Sequence, residues 1–397
     1  MKELIVNPLR ESDVSTVIII DALDECKDEE PASAILSVLG QFVSDIPRVK
    51  FFVTGRPERW IREGFRLPLL AKETDVFVLH DVEPSLIGND IRRFLSRSLE
   101  ITGRQCGLDG WPTKEQLDLL CERAAGLFAY AVATVKFIDH RNNDPKERLD
   151  RLLWSPESSA LEGKATLKEN TTLDSLYASI LREAFGGDDP EDDPKVRSVL
   201  GTVILAANPL SPFTIATLLS LSAESVLRRL SSVHSLLILE DLNQPVRPFH
   251  KSFPDFIVDP TRCINDRFRV SPPSQHLELL VGCLELMNQK LEKNMCNLPD
   301  YVTNSEVGDL QERNERCVDP ALGYACKSWH RHLDGNTAPI PKVISTLHRF
   351  LEKKFLFWLE VLSVLGATRE AVDALELLAK WLEVCRVYTL DVFPKFT

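Results

Sequence analysis

The chain lacks the arrangements that mark a secreted, membrane-spanning or nucleic-acid-binding protein. Its nine cysteines, spread from Cys26 to Cys385, include no C-x-x-C pair. An odd, scattered set of thiols argues for reduced cysteines over a disulfide framework, and sets the expectation of a cytosolic (cytoplasmic) protein. No apolar run approaches the roughly 20 residues that span a bilayer, and Met1 to Arg10 shows no signal-peptide pattern, so no membrane partner is expected. Basic charge is scarce as well: 47 Lys and Arg against 59 Asp and Glu give a formal net charge of −12, with no dense basic stretch. Neutralising backbone phosphates needs such a face, so no nucleic acid is expected as a partner. No internal repeat recurs at the period of a solenoid or propeller. Finally, no segment reads G-x-x-x-x-G-K-[ST], the turn whose backbone N–H groups and Lys cradle the phosphates of a nucleotide.

What is present begins with Val17-Ile18-Ile19-Ile20-Asp21-Ala22-Leu23-Asp24-Glu25-Cys26, an apolar strand that delivers carboxylates at its C-terminal end. At 397 residues, 44% hydrophobic and 27% charged, the chain is globular in composition and long enough for two to four domains. Residues 1–85 alternate strands (Thr16 to Ile20, Val49 to Thr54, Val76 to Leu79) with a helix from about Pro31 to Ser44, the grammar of a parallel α/β sheet. From Ser85 the spacing turns helical, with Ile87, Ile91, Phe94, Leu95 and Leu99 on one face, and predicts a small helical lid over 86–190. Polar stretches at 155–172 and 186–194 suit loops, and a boundary falls near 190. Over 191–270, three short helices precede paired strands at Leu236 to Glu240 and Val246 to His250, which describes a winged helix. Residues 271–397 read as a C-terminal helical region.

The residues at the strand ends suggest particular chemistry. Asp21 stands where a carboxylate can hold magnesium, directly or through water; a strand-terminal Asp capping the next element is the plainer alternative. Asp24 and Glu25 follow at the same end, with Glu25 the candidate to polarise an attacking water, against the alternative of a solvated acidic loop. Arg56, two residues beyond the second strand, can reach a γ-phosphate or else pair with Asp24 or Glu25. His330 and His332 are spaced for a strand face rather than a helix face, with no cysteine pair nearby, which argues against zinc. Cys26 sits in an acidic setting and is not read as a nucleophile. The second helix of the winged-helix pattern, Ala223 to Leu230, carries Arg228, Arg229 and Glu224, a poor charge set for DNA.

Taken together, Ile19 to Cys26, Phe51-Phe52-Val53-Thr54-Gly55-Arg56-Pro57-Glu58, Ala125-Gly126-Leu127-Phe128-Ala129-Tyr130-Ala131 and Phe249-His250-Lys251-Ser252-Phe253-Pro254-Asp255-Phe256-Ile257 resemble the fungal NACHT proteins, STAND-class signalling ATPases that usually precede WD40 or other repeats. Tyr324-Ala325-Cys326-Lys327-Ser328-Trp329 also looks like the helical linker before such repeats, though none follows here. The resemblance implies a partial P-loop NTPase sheet (Walker B and sensor strands, no Walker A), then helical lid, winged helix and C-terminal helices: α/β plus mainly α. It implies ATP or ADP with Mg as cofactors, Asp21 on the metal, Asp24 and Glu25 in a catalytic role, and Arg56 and His250 on the nucleotide. His250 would contact bound ADP and hold a closed state whose release allows self-association in defence or incompatibility signalling. The first residues would correspond to the helix before the Walker B strand, so either the chain is truncated or a partner supplies the missing strand. Implied partners are full-length NACHT homologues or a second copy. The rival reading is a non-enzymatic module that pairs with such relatives.

Overall fold

Five β-branched residues in succession, Thr16-Val17-Ile18-Ile19-Ile20, favour extended backbone, and in the computed structural model of the chain they form β1 (Thr16–Ile20). The structure describes residues 6–11, 15–26, 29–56, 58–78, 82–139, 144–154, 169–186, 193–239, 241–299, 303–333 and 341–389. They divide into two units, Met1–Glu83 and Pro84–Thr397.

In the first unit, α1 (Asn7–Glu11) precedes β1, and α2 (Glu29–Phe42) provides the crossover to β2 (Val49–Val53). The strands pair in parallel, from Thr16 opposite Val49 to Ile20 opposite Val53. Two short helices, α3 (Arg59–Phe65) and α4 (Pro68–Ala71), follow. Leu36 and Leu39 of α2 pack with Leu23, Ile61 and Leu70, and a second small core joins Val6, Ile46 and Val49. The opposite face of the sheet is open, with Val17, Ile19 and Phe52 each at least 60% exposed. The expected third strand is not formed: Val76 to Val78 lie outside any strand, and Leu79 falls outside the described residues. The alternation that predicts a strand there is real, but among the described residues no further strand borders β1 or β2, and an unpaired strand has no ladder to stabilise it.

The second unit is almost wholly helical. α5 (Pro84–Gln105) buries Ile91, Leu95 and Leu99 along one stripe. α6 (Lys114–Ala124) starts at a reciprocal cap in which the Thr113 hydroxyl accepts the Gln116 N–H and the Gln116 side chain accepts the Thr113 N–H. Ala125 and Gly126, both with positive φ, end α6 and turn the chain into α7 (Phe128–Ile138). Next come α8 (Pro145–Trp154), α9 (Glu169–Phe185), α10 (Asp193–Leu205), α11 (Pro212–Leu218) and α12 (Ala223–Ser232). The expected paired strands are present in shortened form, β3 (Leu237–Ile238) antiparallel to β4 (Arg247–Pro248). After α13 (Ser252–Val258), the long α14 (Pro272–Lys290) runs through the centre and packs against α10 and the later helices. Gly282 of α14 lies so close to α11 that a Cβ there would stand 2.4 Å from the Leu218 carbonyl oxygen, which excludes any larger residue without a backbone shift.

The remaining helices are α15 (Leu310–Cys317), α16 (Pro320–Ser328), α17 (Pro341–Lys353), α18 (Phe355–Val364) and α19 (Thr368–Thr389). Trp329, Phe350 and Trp358 stack edge to face among them, with ring centroids 5.6 to 6.0 Å apart. One apolar core extends from Ile91 to Trp381, so the segments expected as lid, winged helix and C-terminal region share it. No helix among the described residues is long and apolar enough to cross a membrane.

Candidate functional site

The C-terminal ends of β1 and β2 bring four of the five expected site residues into one small region. Thr54 donates its N–H to the Ile20 carbonyl at 2.9 Å, which extends the parallel ladder by one residue and sets Thr54 beside Asp21. The Thr54 hydroxyl then donates to Asp21 Oδ1 and accepts the Ala22 N–H at 2.8 Å. Ala22 adopts a left-handed conformation, φ 52, that turns the chain off the sheet into a tight 3₁₀ turn over Leu23–Glu25. Leu23, 2% exposed, anchors that turn in the core.

Asp24 and Glu25 leave the turn in different environments. The Asp24 side chain is only 5% exposed; its Oδ1 accepts the Arg56 N–H at 3.0 Å and its Oδ2 stands 3.7 Å from Arg56 Nε. Arg56 therefore pairs with Asp24. Asp24 thus fixes the Thr-Gly-Arg turn, whereas Asp21 and Glu25 are exposed to solvent. No cluster of three His, Cys, Asp or Glu that could hold a metal occurs among the described residues. Sequence reasoning gave Thr54 no role; the available signal was that it follows β2 where Asp21 follows β1.

His250 belongs to the second unit. Its Nδ1 accepts the Ser252 N–H at 3.2 Å, so that nitrogen carries no proton and also accepts from the Ser252 hydroxyl at 2.6 Å. The Ser252 oxygen in turn accepts from the Tyr177 hydroxyl at 2.7 Å. The chain of donors fixes the Nε2–H tautomer on an exposed ring. Burial pushes the Tyr177 hydroxyl pKa up, which keeps it a proton donor at neutral pH. Phe253 and Phe256, 1% and 2% exposed, hold Tyr177 between them, while Lys136 covers the Phe249 ring at 3.9 Å. Tyr177 and Ser252 were not singled out from the sequence, since 75 residues separate them.

The other candidates take structural places. His330 and His332 lie in a 3₁₀ turn over Trp329–His332, not on a strand, and both are buried. The Ala207 N–H donates to the Tyr324 oxygen at 3.0 Å, that oxygen and His332 Nε2 share a hydrogen bond of 2.8 Å, and His332 Nδ1 and His276 Nδ1 share another of 2.9 Å. Arg229 of α12 is 3% exposed and donates to the Ser225 carbonyl within its own helix, so it presents no charge to a DNA backbone. Cys26 is an exposed free thiol.

Residues 1–56, which take in β1, the acidic turn and β2 and end at Arg56, match the family described as Nephrocystin 3, N-terminal. Over 394 aligned residues, 91% of this chain, the sequence is 23% identical to "Vegetative incompatibility protein HET-E-1" of Podospora anserina. The chain covers 26% of that protein, about a quarter of its length. No solved structure matches.

Proposed function

We propose that this chain carries the metal-binding and switch-reading elements of an ADP/ATP-dependent conformational switch of the NACHT, STAND-class type, working in incompatibility or defence signalling. The observation that carries the reading is the arrangement beyond β1 and β2: an exposed Asp21 held by Thr54, beside a turn in which Asp24 fixes Arg56. Similarity to HET-E-1 over most of the chain supports the signalling context. In this reading Asp21 holds Mg²⁺, which when bound would neutralise phosphate charge. Glu25 orients water, and Arg56 stays near the strand ends through its backbone bond to Asp24. His250 offers its Nε2–H to a phosphate oxygen from the winged-helix region, with Ser252 and Tyr177 fixing the donor. Two states that bind nucleotide with different affinity suffice for a switch. Hydrolysis by these residues alone is not part of the proposal, because a phosphate cradle of the G-x-x-x-x-G-K-[ST] type is absent from the 397 residues.

The open apolar face of the sheet, with Val17, Ile19 and Phe52 exposed, favours a second reading, a non-enzymatic module that pairs with full-length relatives. Calorimetry with ADP and ATP, with and without magnesium, separates the two. Magnesium-dependent binding weakened at least about tenfold in Asp21→Ala supports the switch, since each tenfold corresponds to ~1.4 kcal/mol of a charge-assisted contact. His250→Ala is expected to weaken ADP more than ATP. No heat with either nucleotide, combined with capture of a purified homologue that has an intact phosphate loop, supports the module.

A further inference from the structure

His234 stands between the ends of two helices. It follows α12 shortly after its last residue, and its backbone N–H returns to the Ser231 carbonyl, in the last turn of that helix, at 3.3 Å. The ring Nδ1 lies 3.2 Å from the same carbonyl oxygen. Nε2 lies 3.1 Å from the carbonyl oxygen of Lys136, in the last turn of α7. Both partners are carbonyl oxygens, which only accept, so each contact needs a proton on the nitrogen that faces it. A neutral imidazole has one N–H; it can satisfy one of these oxygens and turns a lone pair towards the other. The imidazolium has two and satisfies both.

The location favours the cation a second time. Carbonyls in the last turn of a helix are short of intrahelical donors and carry the negative end of its dipole, and two such ends converge on this ring. Other histidines have the reverse requirement. His250 Nδ1 accepts the Ser252 N–H, and the Nδ1 atoms of His276 and His332 share one hydrogen bond, so a nitrogen without a proton is needed in each case. The charged groups around His234 are engaged elsewhere. Lys136 lays its ammonium over the Phe249 ring at 3.9 Å, and Asp139, just after α7, accepts from the Thr102 hydroxyl at 3.2 Å. On α12, Arg229 donates to the Ser225 carbonyl of its own helix, while Arg228 is exposed. On α9, which packs against both helices, Asp174 and Glu183 pair with Arg262 and Arg148. Beyond β4, the titratable neighbours of Phe249 are His250 and Lys251.

We propose that His234 is a proton-dependent clamp between α7 and α12, closed when the ring is charged and loosened when its proton passes to water. The ring is half-buried, so solvent reaches it. α7 lies within 86–190 and α12 within 191–270, so the clamp acts on the joint between the segments expected as lid and winged helix. It needs no nucleotide and stands whether or not the chain binds one. Because only the folded chain offers both carbonyls, folding tightens the hold of the ring on its proton. The contribution of His234 to stability is therefore complete below about pH 6.5, the unfolded value, and is lost as pH rises through the higher folded value.

The test uses the full chain with ¹⁵N-labelled histidine, followed by NMR as pH is raised from about 5 to about 9, the range in which imidazoles titrate. The His234 signals are identified by their absence in His234→Gln and in His234→Arg. The expected result is a ring protonated on both nitrogens at neutral pH, with a titration midpoint at least about one unit above 6.5, a tenfold gain in proton affinity. Urea midpoints give a second readout. The advantage of the wild type over His234→Gln should shrink as pH rises across that range. His234→Arg keeps a charge and its donors, so its difference from His234→Gln should stay constant. Groups that titrate in every variant, such as His330, cancel from these comparisons. A His234 midpoint at or below about 6.5, or a wild-type advantage that does not change with pH, overturns the proposal.

Discussion

Asp21 and Asp24 stand three residues apart at the end of one strand, and their neighbours give them different work. Asp24 is withdrawn from water and held by Arg56, so its negative charge is committed to shaping a turn. Asp21 shares one oxygen with a Thr hydroxyl and remains exposed. Side-chain type alone does not separate them, because the distinction depends on Thr54 and Arg56, more than 30 positions away. A similar dependence governs His330. Burial lowers its pKa from the ordinary 6.5, partly offset by Glu370 at 3.5 Å, and its Nδ1 has no partner among the described residues. With the folded value below the unfolded one, the unfolded chain binds the proton more readily as pH falls. His330 therefore contributes its full stability above about pH 6.5 and loses it as pH drops through that value towards the folded pKa. Urea midpoints of the wild type and His330→Gln, compared on either side of that pH, should show the wild type losing ground on the acid side. A constant difference would remove His330 as the cause.

At the scale of elements, the C-terminal helices are held by aromatic packing more than by helix propensity. Trp358 of α18 is 0% exposed, stacks on Trp329 and Phe350, and donates Nε1–H to the Cys326 carbonyl of α16 at 2.8 Å. Trp358→Ala should cost about 3–5 kcal/mol in denaturant unfolding, the range for truncating a large buried aromatic. Trp358→Phe retains most of the apolar area but strips the Cys326 carbonyl of its donor, an expected loss of about 1–3 kcal/mol. Equal losses in the two variants would show that the hydrogen bond, not packing, accounts for the whole effect. The helical stripe of α5 was legible beforehand, since Ile91, Leu95 and Leu99 recur at helical spacing and all three are buried. The meeting of Trp329, Phe350 and Trp358 was not, because the pattern within each helix says nothing of which helix it faces.

For the whole molecule, the division into Met1–Glu83 and Pro84–Thr397 predicts two unfolding events. The first unit holds two small apolar cores and one open sheet face, while the second is built on a continuous core. Scanning calorimetry should resolve an early transition of low enthalpy and a later, larger one, since unfolding enthalpy scales with the number of residues that unfold. One cooperative transition over the full chain would contradict this division. The sequence by itself determined β1, through a β-branched run that disfavours helix, and β2, through its Val and Phe residues, and it placed acids and an Arg at their C-terminal ends. It also determined helices such as α5 and α6, through 3.6-residue apolar periodicity. Tertiary structure decided what required a distant partner. Among the described residues Val76 to Val78 found no strand to pair with, Asp24 rather than Asp21 took Arg56, and Tyr177 and Ser252 fixed the tautomer of His250. Local backbone preference is written in neighbouring residues, but hydrogen bonds, ion pairs and burial depend on which distant segments the fold brings within a few ångströms.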